Sequence, residues 1–163
     1  MDEFFILFAQ SAIVAFQGAW LTVAVQDNIR NPRLNERGFA TVLAMDLVKQ
    51  DEEAYRAVAD RQIKNPKVEK RLFRALVAAE VIVSALLWIA ALALLLAALG
   101  IVSSSGAREL ATLAVLGFVA IWASLLIGGQ WFWYRVGMLP ALQAHFFLII
   151  WGTATLAFFA AGP

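Results

Sequence analysis

The sequence predicts an all-α polytopic membrane protein, an antiparallel four-transmembrane-helix bundle with amphipathic helices in the first long loop. Two observations support this fold class. Of the 163 residues, 62% are hydrophobic, whereas about half are hydrophobic in a typical soluble domain. The apolar residues are also concentrated in runs of about 20 residues, long enough to cross a bilayer. We therefore predict one membrane domain, 1–163, with spans at about 4–25, 73–101, 110–133 and 142–161.

Small residues recur on one face of the first and third spans. Small side chains let two helices approach closely in lipid, where apolar burial alone does not drive association. We therefore expect both faces to contact neighbouring helices. The predicted packing residues are Ser11, Ala15, Gly18, Gly117, Ser124 and Gly128.

The polar segment 29–66 is predicted to be an amphipathic helical loop outside the bilayer. Asn31-Pro32 is a helix start signal, and a second short helix is expected after Asp51. We interpret both helices as covering the bundle end and resting in the headgroup layer, the alternative being a dedicated partner-binding surface. Their apolar faces are Phe39, Val42, Leu43 and Leu47 in the first helix, and Tyr55, Val58 and Ala59 in the second.

The second span continues a longer helix that begins outside the apolar run. Asn65 as N-cap and Pro66 at the first position predict a helix over 66–102, about 54 Å long. Ser103-Ser104-Ser105-Gly106 predicts a tight turn, so the next helix should be adjacent and antiparallel. An aromatic belt at the membrane interface is expected from four consecutive rings, Trp131, Phe132, Trp133 and Tyr134.

Basic residues mark one side of the predicted bundle. Eleven of the thirteen lysines and arginines lie between Arg30 and Arg74; Arg135 falls on the same side and Arg108 on the opposite one. Because basic short loops stay in the cytoplasm, we expect the long loop to be cytoplasmic and both termini periplasmic.

Glu80 is the costliest polar residue, because an ionised group deep in a span costs about 3 kcal/mol on insertion scales. We expect it to face the bundle and to bond Gln130, His145 or Arg135. It could be a proton relay, a ligand contact or an ion site, or a structural carboxylate that sets helix register. The candidate polar pocket at the loop end of the bundle contains Glu80, Gln130, His145, Arg135, Gln17 and Asp27, with Asn28 and Gln143 on the same side.

Several classes of chemistry lack their residues. The chain has no cysteine, which excludes disulfides, thiolate catalysis and iron–sulfur ligation. The single histidine, His145, cannot supply bis-imidazole haem ligation; an axial pigment or haem role and a hydrogen bond in the bundle remain as alternatives. No phosphate loop, nucleophile elbow or paired catalytic acid is present. We therefore expect no enzymatic activity, no metal and no cofactor, and the net charge of +1 gives no reason to expect nucleic acid.

Gly128-Gly129 allows two interpretations. Paired glycines can break a helix and expose backbone groups to a ligand, or they can serve close packing or a kink.

Six sequence elements stand in order over nearly the whole chain: Asp27-Asn28, Phe39 with Met45-Asp46, Tyr55-Arg56-Ala57, Glu80, Gly128-Gly129-Gln130-Trp131-Phe132 and Gln143-Ala144-His145-Phe146-Phe147. Together they resemble the bacterial predicted small integral membrane protein family of unknown function. The sharpest is a Gly-Gly-acid-Trp-Phe signature, in which Gln130 stands where glutamate is usual; Asp27-Asn28 stands where two asparagines are usual. The resemblance implies a four-helix protein of the bacterial inner membrane, with no established activity to carry over.

Two functional hypotheses follow. The first is a non-catalytic accessory subunit that stabilises a larger membrane complex, most plausibly of respiratory or photosynthetic electron transfer, through small-residue and aromatic faces. The alternative is a membrane protein that binds a small molecule, a lipid or a quinone in the polar pocket. A transporter ranks third, because four spans are few and no inverted repeat is evident.

Overall fold

The computed structural model describes residues 2–161, and every regular element in that range is helical. Four of the helices, α1, α4, α5 and α6, are long and apolar enough to cross a membrane. Met1 and Gly162-Pro163, at the predicted periplasmic ends, lie outside the described residues. In chain order the helices are α1 (Glu3–Arg30), α2 (Pro32–Leu43), α3 (Glu52–Val58), α4 (Pro66–Ala98), α5 (Ser104–Trp131) and α6 (Leu139–Ala160).

The four long helices pack side by side in the order α1, α4, α5, α6. α1 and α4 are antiparallel. Asn28, near the end of α1, contacts Glu80 in the first half of α4, and Ser11, nearer the start of α1, contacts Ala91 further along α4. Short connections make α5 antiparallel to α4 and α6 antiparallel to α5. The end of α1 therefore lies beside the start of α4, the end of α5 and the start of α6, at what we call the loop side.

The helices do not end where the predicted spans end, because a helix can continue past the apolar residues that cross the lipid. α1 continues five residues past Val25, since polar residues can leave lipid without leaving the helix. α4 begins at Pro66 as predicted, and the Asn65 side chain accepts a hydrogen bond from the Lys67 N–H at 3.0 Å. The predicted end at residue 102 is wrong, because α4 stops at Ala98. α6 begins at Leu139, three residues before the predicted apolar start.

The turn predicted at Ser103–Gly106 is wrong by a few residues. The Ser103 side chain instead caps α5 by accepting from the Gly106 N–H at 3.5 Å. The chain reverses just before, where Gly100 has φ +72° and the Ile101 N–H bonds the Leu96 carbonyl at 2.9 Å. This is a Schellman motif, in which glycine adopts the left-handed conformation at no steric cost.

The segment between α2 and α4 folds onto the bundle end. The first amphipathic helix was predicted to include Leu47, but α2 ends at Leu43 and leaves Leu47 outside. The predicted start of the second helix is confirmed, because Asp51 caps α3 by accepting a hydrogen bond from the Ala54 N–H at 3.0 Å. A small apolar core joins the segment between α2 and α4 to the α5–α6 connection. This segment therefore covers the end of the bundle. Its members are Met45, Val48 and Val58, with Ala54, Tyr55, Phe132, Trp133 and Val136 packed against them.

The expected belt of four interfacial rings is wrong for two of them. Trp131 is exposed beneath the guanidinium of Arg61, 4.6 Å from its ring centre. Phe132 and Tyr134 turn inward, and Tyr134 is only 6% exposed. The alternation arises because α5 ends here: Trp133 takes φ +54°, which redirects the chain.

Four of the six predicted packing residues lie in the helix contacts expected of them. The Ser11 hydroxyl donates to the Ala91 carbonyl at 2.7 Å, and Ala15 packs against the apolar core that the four long helices share. A Cβ added at Gly18 would lie 3.4 Å from Leu87, and one at Gly117 would lie 3.0 Å from Val83. These residues bring α1 and α5 close to α4.

The other two, Ser124 and Gly128, border a cavity instead. A Cβ at Gly128 would have no neighbour within 4 Å. The glycines that pack tightly are Gly129, where a Cβ would overlap the Tyr134 ring, and Gly152, where it would overlap the Val119 side chain. α5 runs unbroken through the glycine pair to Trp131, so close packing, not a helix break, accounts for Gly129.

Candidate functional site

A cavity of about 740 Å³ lies at the loop side, bounded by α1, α2, α4, α5 and α6. Its volume falls within the range of about 300–1,000 Å³ typical of small-molecule sites. α2 forms one wall, held to α4 by the rings of Phe39 and Phe73, whose centres are 5.9 Å apart. Trp122 and Phe132 add aromatic surface from α5 and from the residue after it. We call this space the loop-side cavity.

A chain of hydrogen bonds leads along the cavity to Glu80. The side-chain Nδ2 of Asn35 donates to Asn28 Oδ1 at 2.7 Å, and Asn28 Nδ2 donates to Glu80 Oε2 at 2.6 Å. All three residues line the cavity. Asn35 is exposed and Glu80 is only 3% exposed. This chain of hydrogen bonds therefore connects three helices and leads from the surface to a buried acid.

Helix geometry explains why these residues meet. Asn28 follows the apolar part of α1, and Asn35 lies in the first turn of α2, directly after the bend at Asn31. Glu80 lies on the face of α4 that also buries Val83 and Leu87. Residues three, four and seven positions apart share one helix face, so Glu80 points into the bundle and not into lipid.

On α6, His145 belongs to an aromatic stack that borders the cavity. Its Nδ1 shares a hydrogen bond of 2.8 Å with the Tyr134 hydroxyl, and its ring stacks on Trp122 with centres 5.5 Å apart. Burial raises the pKa of Tyr134 above its usual value. Gly129 makes room for this tyrosine ring.

The indole nitrogen of Trp122 is buried and has no acceptor among residues 2–161. Trp122 is 6% exposed and lines the cavity. Buried N–H groups nearly always have a hydrogen-bond partner. The described part of the chain therefore leaves this buried donor, on a residue that lines the cavity, without a partner.

The structure brings together only some of the predicted pocket residues. Glu80, Asp27 and His145 line the cavity, as does the neighbouring Asn28. Gln17 lies deeper in the bundle, where its amide donates to the Thr155 hydroxyl at 2.9 Å.

Three predicted residues lie away from the cavity. Gln130, Arg135 and Gln143 are exposed. Gln130 points outward because the preceding glycine faces inward and successive helical residues are about 100° apart. The Arg135 guanidinium lies 4.4 Å from the ring centre of Trp133.

The expected bond from Glu80 to Gln130, His145 or Arg135 is therefore wrong. Its hydrogen-bond partner in the described structure is Asn28.

Sequence reasoning missed Asn35, Trp122 and the role of Tyr134. A signal existed for Asn35, since it shares a helical face with Phe39 and Val42 and is the polar member of that face. Nothing in the sequence distinguishes Trp122 from the other aromatic residues within the spans. No group of three histidines or acidic residues that could hold a metal ion occurs in the range 2–161.

Residues 6–161 match the family of predicted small integral membrane proteins, DUF2165. The chain belongs to this family. The resemblance noted from the motifs is thereby confirmed, and the four apolar helices are those of an integral membrane protein. The family has no established function. Comparisons with curated proteins and with solved structures found no match.

Proposed function

We propose that this DUF2165 protein binds a small amphipathic molecule, such as a lipid or a quinone, in the loop-side cavity. The observation that carries the proposal is the cavity itself, about 740 Å³ in volume, lined by aromatic residues and by the buried side chain of Glu80. Ligand sites typically combine apolar walls with a few placed polar groups. The role is binding and not catalysis, and it corresponds to the second of the two hypotheses drawn from the sequence.

A purely structural role for Glu80 accounts for less of the site. Its hydrogen bond with Asn28 does connect α4 to α1. Setting helix register requires only that hydrogen bond and no open space beside it. A cavity of this volume, partly open to the surroundings and lined by aromatic residues, favours a ligand.

The accessory-subunit hypothesis stays a prediction. Exposed apolar residues such as Phe16, Ile127 and Phe147 suit lipid as well as a partner helix. Nothing in these faces favours a respiratory or photosynthetic complex over the bilayer. Persistence of such a complex, in size and stability, in a deletion strain would count against this role.

For orientation, we propose a bacterial inner-membrane protein with its long loop in the cytoplasm and its termini in the periplasm. The support is the basic bias of residues 30–74. Because the chain lacks cysteine, single cysteines report sidedness without background. A membrane-impermeant maleimide should label Ser105→Cys in intact cells and label Asp60→Cys only after lysis; the reverse pattern would invert the orientation.

The cavity proposal is tested by filling the cavity. Gly128→Leu places a side chain where a Cβ has open space at the cavity wall. Gly106→Leu is the matched control, because it lies on the same helix, also has open space, and is not a lining residue. Both changes replace glycine by a better helix former, worth up to about 1 kcal/mol, so helix stability alone does not separate them.

Small molecules that co-purify with each protein in mild detergent are then extracted and quantified by mass spectrometry. We expect a species stoichiometric with the chain in the wild type and in Gly106→Leu, and a depleted level in Gly128→Leu. Equal extracts from all three proteins would contradict binding in the loop-side cavity.

A further inference from the structure

The lining of the loop-side cavity has an unusual charge composition. Within the described residues it includes two acids, Asp27 and Glu80, and neither lysine nor arginine. Basic residues are nevertheless abundant on this side of the bundle, where eleven of the thirteen in the chain lie between Arg30 and Arg74. The basic side chains next to the cavity residues, such as Arg74 and Arg37, are exposed. The fold thus places a cavity lined by two acids on the side of the bundle that carries most of the basic residues.

The carboxylate of Glu80 has no cationic partner in the described structure. The ion pairs there involve other acids, namely Asp46 with Lys49, Glu52 with Arg56, and Glu3 with Arg108. Glu80 receives one hydrogen bond, from the neutral amide of Asn28. A buried carboxyl without a cation is generally neutral, and a cation beside it stabilises the ionised form. A membrane interior offers little water in place of such a partner.

Aromatic residues complete the lining. Phe39, Phe73, Trp122 and Phe132 line the same cavity as Glu80. Cations are attracted to aromatic ring faces within about 6 Å, and aromatic cages recognise quaternary ammonium ions. An anionic headgroup would find no guanidinium or ammonium donor in this wall.

We propose that the ligand is an organic cation, a protonated amine or quaternary ammonium attached to an apolar body. This inference rests on the proposed binding function and names its ligand class. The cationic group lies against Glu80, with Asp27 adding negative potential nearer the surface, and the apolar body lies among the aromatic residues. Among the described lining residues, His145 is the one basic side chain. Its Nδ1 shares a hydrogen bond with Tyr134, and its ring stacks on Trp122.

The test uses two ions of the same shape and opposite charge. Tetraphenylphosphonium and tetraphenylborate are titrated against the full chain in lipid nanodiscs, and empty nanodiscs are subtracted to remove partition into lipid. We expect saturable binding of the phosphonium and none of the borate. Glu80→Gln should weaken phosphonium binding by about tenfold or more, the equivalent of at least about 1.4 kcal/mol.

Glu69→Gln is the matched control, because it removes one carboxylate from the same helix outside the cavity lining. It should bind the phosphonium as the wild type does. Equal binding of both ions, or an unchanged affinity in Glu80→Gln, would overturn the cationic class. If Glu80→Gln fails to fold, the two ions still decide the matter with the wild-type protein.

A neutral probe, decylubiquinone, separates this inference from the proposed function. Saturable binding of decylubiquinone that Gly128→Leu abolishes, without binding of the phosphonium, would refute the cationic ligand and leave the cavity a binding site. Failure of both probes to bind would refute the cationic ligand, and the co-purification experiment decides on the cavity independently.

Discussion

Two adjacent glycines in α5 should respond in opposite ways to the same substitution. A Cβ at Gly129 would overlap the ring of Tyr134, which is 6% exposed and shares a hydrogen bond with His145. A Cβ at Gly128 would have open space. Gly129→Ala should therefore displace Tyr134 and destabilise the bundle, whereas Gly128→Ala should not.

The size of the effect follows from three contributions. Forcing extra atoms into a packed site costs about 1–3 kcal/mol, and the lost Tyr134–His145 hydrogen bond costs about 1 kcal/mol. Alanine recovers up to about 1 kcal/mol through its higher helix propensity. We expect Gly129→Ala to lower the free energy of unfolding by about 2 kcal/mol and Gly128→Ala to raise it by up to about 1 kcal/mol.

Unfolding by sodium dodecyl sulfate from mild detergent micelles, followed by circular dichroism, measures both variants under the same conditions. The wild-type transition should lie between those of the two variants. Coincident transitions for Gly128→Ala and Gly129→Ala would refute the close packing of Tyr134 against Gly129.

Three further substitutions test other parts of the fold with the same assay. Gly152→Ala should destabilise by about 1–3 kcal/mol, because a Cβ there overlaps Val119 where α6 meets α5; a stability equal to wild type would contradict that close approach. Asn28→Ala should cost about 1–3 kcal/mol because Glu80 loses its hydrogen bond. It should cost less in a Glu80→Ala background, and an identical cost in both backgrounds would mean the two residues are not coupled. Gly100→Ala should cost about 1 kcal/mol, since a side chain at φ +72° is strained, and no loss would argue against the left-handed turn.

Elements with a strong local signal were predictable from the sequence. Long apolar runs require spanning helices, and the Asn65-Pro66 and Asp51 signals begin α4 and α3 where the structure begins them. Burial of Glu80 also followed, because an acid among apolar residues avoids lipid. The same logic failed at Ser103, since serine favours turns and helix caps alike.

The make-up of the cavity was not predictable, because it depends on how helices rotate and on where the chain turns. Gln130 and Gly129 are adjacent in sequence, yet one is exposed and the other seats Tyr134. Asn35 reaches Asn28 only because the chain bends between α1 and α2. Neither outcome has a signature in composition or spacing.

Native mass spectrometry of the intact protein released from nanodiscs tests the central claim most directly. The account predicts a single bound species of defined mass on the wild type and on Gly106→Leu, and the bare chain for Gly128→Leu. Bare protein in all three cases, or the same broad distribution of lipid adducts on each, would contradict a ligand in the loop-side cavity.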